Sequence, residues 1–165
     1  MKFISLLIPI LLFVGSVNLY SSVVSWGNVG MGGISSGVAS QLSSGVNEIF
    51  SSSGAFAALK DDGSVITWGN NNLGGNSSTV ASDITSGVVE IFSTASAFAA
   101  LKEDGSVITW GGPHNEGGDS SSVASQLSSG VNEIFSTNTA FAALKDDGSV
   151  ITWGASEWGG FPAIY

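Results

Sequence analysis

Few residues in this chain are of a type that does chemistry. There is one histidine, His114, set in Gly-Pro-His-Asn-Glu, and there is no cysteine. One imidazole without a thiolate falls short of the ligand set a zinc site takes. The missing cysteine also removes disulfides and thiol catalysis. Serine is abundant, but no histidine accompanies one as a base, so hydrolase chemistry is not expected. No cofactor and no metal are expected.

The acids are more numerous and more regular. Pairs stand at Asp61-Asp62, Glu103-Asp104 and Asp146-Asp147, each followed by glycine. Paired carboxylates suit calcium or general acid–base work, but an Asp-Gly step between apolar runs is also a strong hairpin signal and explains them without either. Single acids recur at Glu48, Glu90 and Glu133. In a closed array they would form an acidic ring that attracts a cation. On an exposed strand edge they would simply face solvent.

These spacings belong to an internal repeat, the feature to seek first in any sequence. Trp-Gly pairs fall at 26–27, 68–69, 110–111 and 153–154, which are 42, 42 and 43 residues apart. A Gly-Gly pair follows each, at 32–33, 74–75, 117–118 and 159–160. The string AFAALKDDGSVITWG occurs at 55–69 and again at 140–154, and the middle copy at 97–111 differs only in Glu103. Each unit carries three strand-like runs: GVNEIFS at 45–51, AFAALK at 55–60 and SVITW at 64–68, with their equivalents. The second run is apolar on both faces, Phe on one and Leu on the other, with Ala between. A strand of that kind must be covered on both sides. The expected fold is therefore all-β: a tandem repeat of small three-stranded antiparallel sheets, each packed face to face on the next. The units are 27–68, 69–110 and 111–153, with partial units at both ends of a repeat domain over 23–165. The linker of about 18 residues after each Trp-Gly reads as loop with one short helical turn.

The run from Ala55 to Gly69, followed by Asn70 to Gly75, resembles the repeat of the regulator-of-chromosome-condensation family. The shared pattern is a strand ending in Ala-Leu, an acidic-Gly turn, a strand ending in Trp-Gly and a Gly-rich loop. The short period and three-strand unit are most similar to the compact bacterial type, that of the propeller β-lactamase inhibitory proteins. The resemblance covers about residues 23–160. It implies a β-propeller, usually of seven blades, and little about function. This chain has three complete units. It carries Ala55, Ala97 and Ala140 where the family commonly has His, and it has no basic surface and no inserted nucleotide-exchange wedge. Nucleotide exchange on a small GTPase is not carried over.

Three blades make an arc. If each terminal face leaves on the order of 400 Å² of apolar surface bare, roughly 10 kcal/mol of burial is forgone at each, at ~25 cal/mol per Å². That is comparable with the whole stability of a domain. Two or more copies closing a ring head to tail is the expected remedy, with Ser22–Trp26 as an orphan third strand; a fragment of a longer propeller with no independent function is the competing reading.

Residues 1–16 read as a signal peptide: Lys2, an apolar run from Phe3 to Val14, then Gly15 and Ser16. An uncleaved anchor is the alternative. Cleavage places the protein outside the cell, in a periplasm or in a secretory lumen, with no stable membrane span. Three lysines and no arginine then face thirteen acids. A charge of that sign argues against nucleic acid and anionic membranes as partners. Asn76-Ser77-Ser78 is a glycosylation sequon, meaningful only in a eukaryotic secretory pathway.

The strands are nearly copied, whereas the stretch after Trp-Gly differs in each unit: NVGM, NNNL, GPHNE, ASEW. The turn before the second strand differs too. Equivalent loops of a repeat share a rim, and loops on a rigid scaffold are where binding is usually placed. The expectation is a non-enzymatic module binding a protein partner through Asn70, Asn71, Asn72, His114, Asn115, Glu116 and Trp158. A lectin-like carbohydrate binder is the alternative, with the Asn cluster and Trp as sugar contacts.

Overall fold

The computed structural model describes residues 23–112 and 116–160. The signal-peptide segment, His114 and Asn115 lie outside the described residues, as does the Trp158 side chain.

Among the described residues nine strands form three separate antiparallel sheets. The first blade is β1 (Val46–Ser51), β2 (Ala55–Lys60) and β3 (Val65–Gly69); the second is β4 (Val88–Ser93), β5 (Ala97–Lys102) and β6 (Val107–Gly111); the third is β7 (Val131–Ser136), β8 (Ala140–Lys145) and β9 (Val150–Gly154). The order within each sheet is the chain order. The register repeats as well, with Phe56, Phe98 and Phe141 opposite Trp68, Trp110 and Trp153. This is an all-β partial propeller of three blades.

The Asp-Gly step makes the β2–β3 hairpin, but not as a two-residue type I′ turn. That turn needs positive φ at both central residues, and only glycines have positive φ here. Instead Gly63 donates to the Lys60 carbonyl, and Lys60 donates to the Ser64 carbonyl. Gly63, at φ 74, is the left-handed residue that closes a three-residue loop. Asp62 accepts from both the backbone N–H and the hydroxyl of Ser64. Asp104 and Asp147 do the same with Ser106 and Ser149. The second acid of each pair is thereby assigned to the turn.

Each blade has two unlike faces. One carries Phe56, Ala58, Ile66 and Trp68; the other carries Phe50, Ala57, Leu59 and Val65. The second face of the first blade packs on the Phe98–Trp110 face of the second, with Ile84 between them. The same join recurs between the second and third blades, with Val123 and Leu127 filling it. Buried alanines in the central strands let the sheets approach, as the sequence pattern requires.

The Gly-Gly pair works across this join. The Gly74 carbonyl accepts the Trp110 indole N–H at 3.1 Å, and a Cβ on Gly74 would lie 2.5 Å from the Phe98 ring. Phe98 in turn stacks on Trp110 with centroids 5.4 Å apart. Trp68 and Trp153 repeat the bond to Gly32 and Gly117. The fourth Trp of the series, Trp26, has no such setting and is 85 % exposed. Val23 nonetheless sits as a third-strand residue, donating to Leu42 at 3.3 Å as Val65 and Val107 donate to Ile84 and Leu127. Val23–Trp26 thus takes the place of a third strand without a ladder partner among the described residues.

The linker differs from the single helical turn expected. In the first two linkers a 3-10 turn follows Trp-Gly (Val29–Met31, Asn71–Leu73) and another follows Gly-Gly (Ser36–Val38, Ser78–Val80). Asx caps explain the first kind: the Asn70 carbonyl oxygen accepts from Asn72 N–H, and Asn28 accepts from Gly30 N–H. Among the described residues no helix is long and apolar enough to cross a membrane.

Candidate functional site

Strand direction sorts the loops into two rims. Ala55 pairs with Gly69, so the β1–β2 turn and the loop after Trp-Gly leave the blade at one end. The Asp-Gly hairpins lie at the other. Both stretches that vary between units therefore share a rim, and hydrogen bonds join them. Asn70 N–H donates to the Gly54 carbonyl, and the Ser52 hydroxyl donates to the Leu73 carbonyl at 2.7 Å. In the next unit Thr94 Oγ1 donates to the Glu116 carbonyl at 3.1 Å. The turns also bond to one another across blades, Ser53 N–H to Ala95 and Ala95 N–H to Asn138, both at 2.9 Å.

The loop after Trp-Gly keeps one backbone while its side chains change. The residues before the 3-10 turn have φ/ψ of −68/126, −69/122 and −65/119 at Asn28, Asn70 and Ala155. A left-handed glycine closes each, at Gly32, Gly74 and Gly159. Upon that frame stand exposed Val29 and Met31, exposed Asn71 and Asn72, and exposed Ser156 and Glu157. Glu116, in the third loop, is half-buried.

The expected site residues do not stand alike. Asn71 and Asn72 are open to solvent on the rim. Asn70 is half-buried and spends its carbonyl oxygen on the turn, so it serves the loop's shape. Asn76 is exposed, with its own carbonyl oxygen accepting from Ser78 N–H. Sequence reasoning missed Met31, Ser53 and Asn138, which the register brings to the same rim. Their signal was present in the varied β1–β2 turn and in the loop alignment itself.

The opposite rim carries the acid pairs. An open groove of about 550 Å³ runs there between the second and third blades, past Glu103, Asp104 and Asp146. Hydrogen bonds from Ser64, Ser106 and Ser149 hold Asp62, Asp104 and Asp147 below the usual aspartate range. Glu48, Glu90 and Glu133 are exposed on the first strands, which neighbour one another from blade to blade. Among the described residues no three metal-ligating side chains come together. Gly33-Ile34-Ser35-Ser36-Gly37 matches the letters of a nucleophile elbow, but no strand leads into it and only a three-residue 3-10 turn follows Ser35.

No family model matches the chain, and no curated protein matches it. Solved structures similar to it include yeast RCC1 (Prp20) bound to Kap60, at TM-score 0.48 and 20 % identity over 66 % of this chain and 29 % of that one. The entire ectodomain of the Physcomitrella patens receptor kinase CR4 is similar at TM-score 0.47 and 18 % identity, over 66 % of this chain and 29 % of that one. Human WBSCR16 is similar at TM-score 0.43 and 20 % identity, over 66 % and 33 %. The chain spans a third or less of the length of these structures.

Proposed function

We propose that this chain is an exported, non-enzymatic repeat module that binds a protein partner through the rim formed by the loops after Trp-Gly and the β1–β2 turns. The observation that carries the reading is the constant loop backbone with exchanged, exposed side chains. A scaffold that holds shape while varying chemistry at Met31, Asn71, Asn72 and Glu157 is suited to recognition. This rim mixes amide and apolar side chains with Glu116 and Glu157, in contrast with the three acid pairs on the rim opposite. The apolar run from Phe3 to Val14 supports export.

A photocrosslinking residue placed at Asn72 or Asn138, and at Asp61 or Asp146 as controls, tests the rim in cells that express the chain. Discrete protein adducts from the first pair alone are expected. Adducts from the acidic rim alone, or from both rims equally, overturn the assignment. A glycan array run in parallel identifies sugar as the ligand instead, if binding is clear and is lost in Asn71→Ala/Asn72→Ala. Amino-terminal sequencing of the mature protein tests export: a start just past Ser16 is expected, and a retained Met1 contradicts cleavage.

A further inference from the structure

Both internal joins unite the same two faces; of that pair, the third blade leaves one open, and the first blade's other face is covered by Val23, Val38 and Leu42 with Ile49 left exposed. The first blade's is its Phe56–Trp68 face, and the third blade's is the face bearing Phe135 and Val150. Burial records the gap. Ile49 is 42 % exposed where Ile91 is 2 % exposed, and Val150 is 55 % exposed where Val107 is 7 % exposed. Apolar clefts mark both places, one of about 220 Å³ beside Ile49, Phe56 and Trp68, the other of about 170 Å³ beside Phe135, Phe141 and Gly159.

The polar halves match as well. At the joins Val88 N–H donates to Gly63 and Val131 N–H to Gly105, at 3.1 and 3.0 Å. Val46 N–H and the Gly148 carbonyl are the remaining members of those two series. Gly74 and Gly117 each lie against the Phe ring of the following blade, whereas a Cβ on Gly159 would meet nothing among the described residues within 4 Å.

One segment stands in the way. Residues 23–33 align without a gap on residues 150–160, with Val23 for Val150, Trp26 for Trp153 and Gly32 for Gly159. Val23 already occupies the Leu42 carbonyl that an incoming Val150 would use. The two claimants are not held equally. β9 is paired along its length with β8, while Val23–Trp26 has no ladder among the described residues.

We propose that the Phe135–Val150 face of one copy docks on the Ile49–Phe56 face of a second copy, and that residues 23–33 of the second copy yield their place to residues 150–160 of the first. Bonds broken within the chain are remade between chains: Val150 N–H replaces Val23 N–H on Leu42, and the Gly159 carbonyl replaces that of Gly32 on the Trp68 indole. The gain is the burial of Phe135, Val150 and Ile49, now exposed, while the rest of the Phe56–Trp68 face exchanges one cover for another. The contact is heterologous, so copies add head to tail. The docked faces are the flat sides of the blades, while the exchanged segments carry the first and last loops of the rim, those of Met31 and Glu157, with them.

Sedimentation of the full chain tests this. The wild type is expected to exceed monomer mass increasingly with concentration. Val150→Asp and Ile49→Asp sit at half-exposed positions, so each should fold and each alone should stay monomeric. Mixed one to one they should form a species of two chains, because Ile49→Asp keeps the Val150 face and Val150→Asp keeps the Ile49 face. Val23→Asp loosens the competing segment and should raise association severalfold. A wild type that is monomeric at every concentration gives the faces to another occupant and overturns the proposal. So do single variants that still associate, a mixture of folded variants that stays monomeric, or association unchanged or weakened by Val23→Asp.

Discussion

Replacing Gly74 with alanine should be far more damaging than the same change at Gly159, although the two positions have the same backbone. Both glycines sit at φ 97 after equivalent 3-10 turns. The left-handed strain of an added Cβ is thus common to both, at about 1–2 kcal/mol. The surroundings differ. At Gly74 the new carbon would lie 2.5 Å from two carbons of the Phe98 ring, which is fully buried and stacked on Trp110. Phe98 has no room to retreat, and overpacking of this kind costs about 1–3 kcal/mol more. At Gly159 nothing among the described residues stands within 4 Å. Gly74→Ala should therefore lose about 2–5 kcal/mol in total, and Gly159→Ala only the strain. Denaturant unfolding, at protein concentrations low enough to keep the chain monomeric, reads the difference directly. Equal losses for the two variants would refute the role given to the Gly-Gly pair as the contact between blades.

The tryptophan series should divide in the same way. Trp110→Phe removes the indole bond to Gly74 in a buried join and should lose about 1–3 kcal/mol in the same unfolding assay, while Trp26→Phe should change stability by less than about 0.5 kcal/mol. The Ser96 hydroxyl is buried with no partner in the described structure. Ser96→Ala should leave stability unchanged or raise the melting temperature, and a clear drop would mean the hydroxyl is bonded. Asp62 is held below the usual range chiefly by the Ser64 hydroxyl. Because its folded pKa is depressed, its contribution is complete above the unfolded-state value and fades as pH falls through the folded one. NMR titration should find Asp62, Asp104 and Asp147 all low, and Ser64→Ala should raise Asp62 alone.

The blades were legible because the signals were local and repeated. Asp-Gly glycines, alternating faces in AFAALK and a fixed Trp-Gly beat specify three strands without reference to anything distant. The turn type was less legible, since Asp-Gly serves two hairpin geometries and only the φ of Asp62 separates them. The linkers were underread because each holds two three-residue 3-10 turns, too short to show apolar periodicity, the first of them resting on an Asx cap at Asn28 or Asn70. That also explains Asn70, which composition groups with Asn71 and Asn72 as an amide cluster but which faces its own backbone. That the two blade faces differ, Phe on one and Leu on the other, was legible, but which face meets which was not. It depends on contacts between residues 36 apart, such as Gly74 with Trp110, that belong to different blades. The site was legible as a pattern of variation, but its extent was not. The pairing of Ala55 with Gly69 is what brings the second set of variable turns to the same edge.

Hydrogen-exchange mass spectrometry of the chain, free and bound to the partner captured by crosslinking, tests the central claim most directly. The rim account predicts protection gained in peptides spanning 70–73, 94–96 and 137–139, with 61–64, 103–106 and 146–149 unchanged. Protection confined to the Asp-Gly hairpins, with the loops after Trp-Gly unaffected, would contradict it.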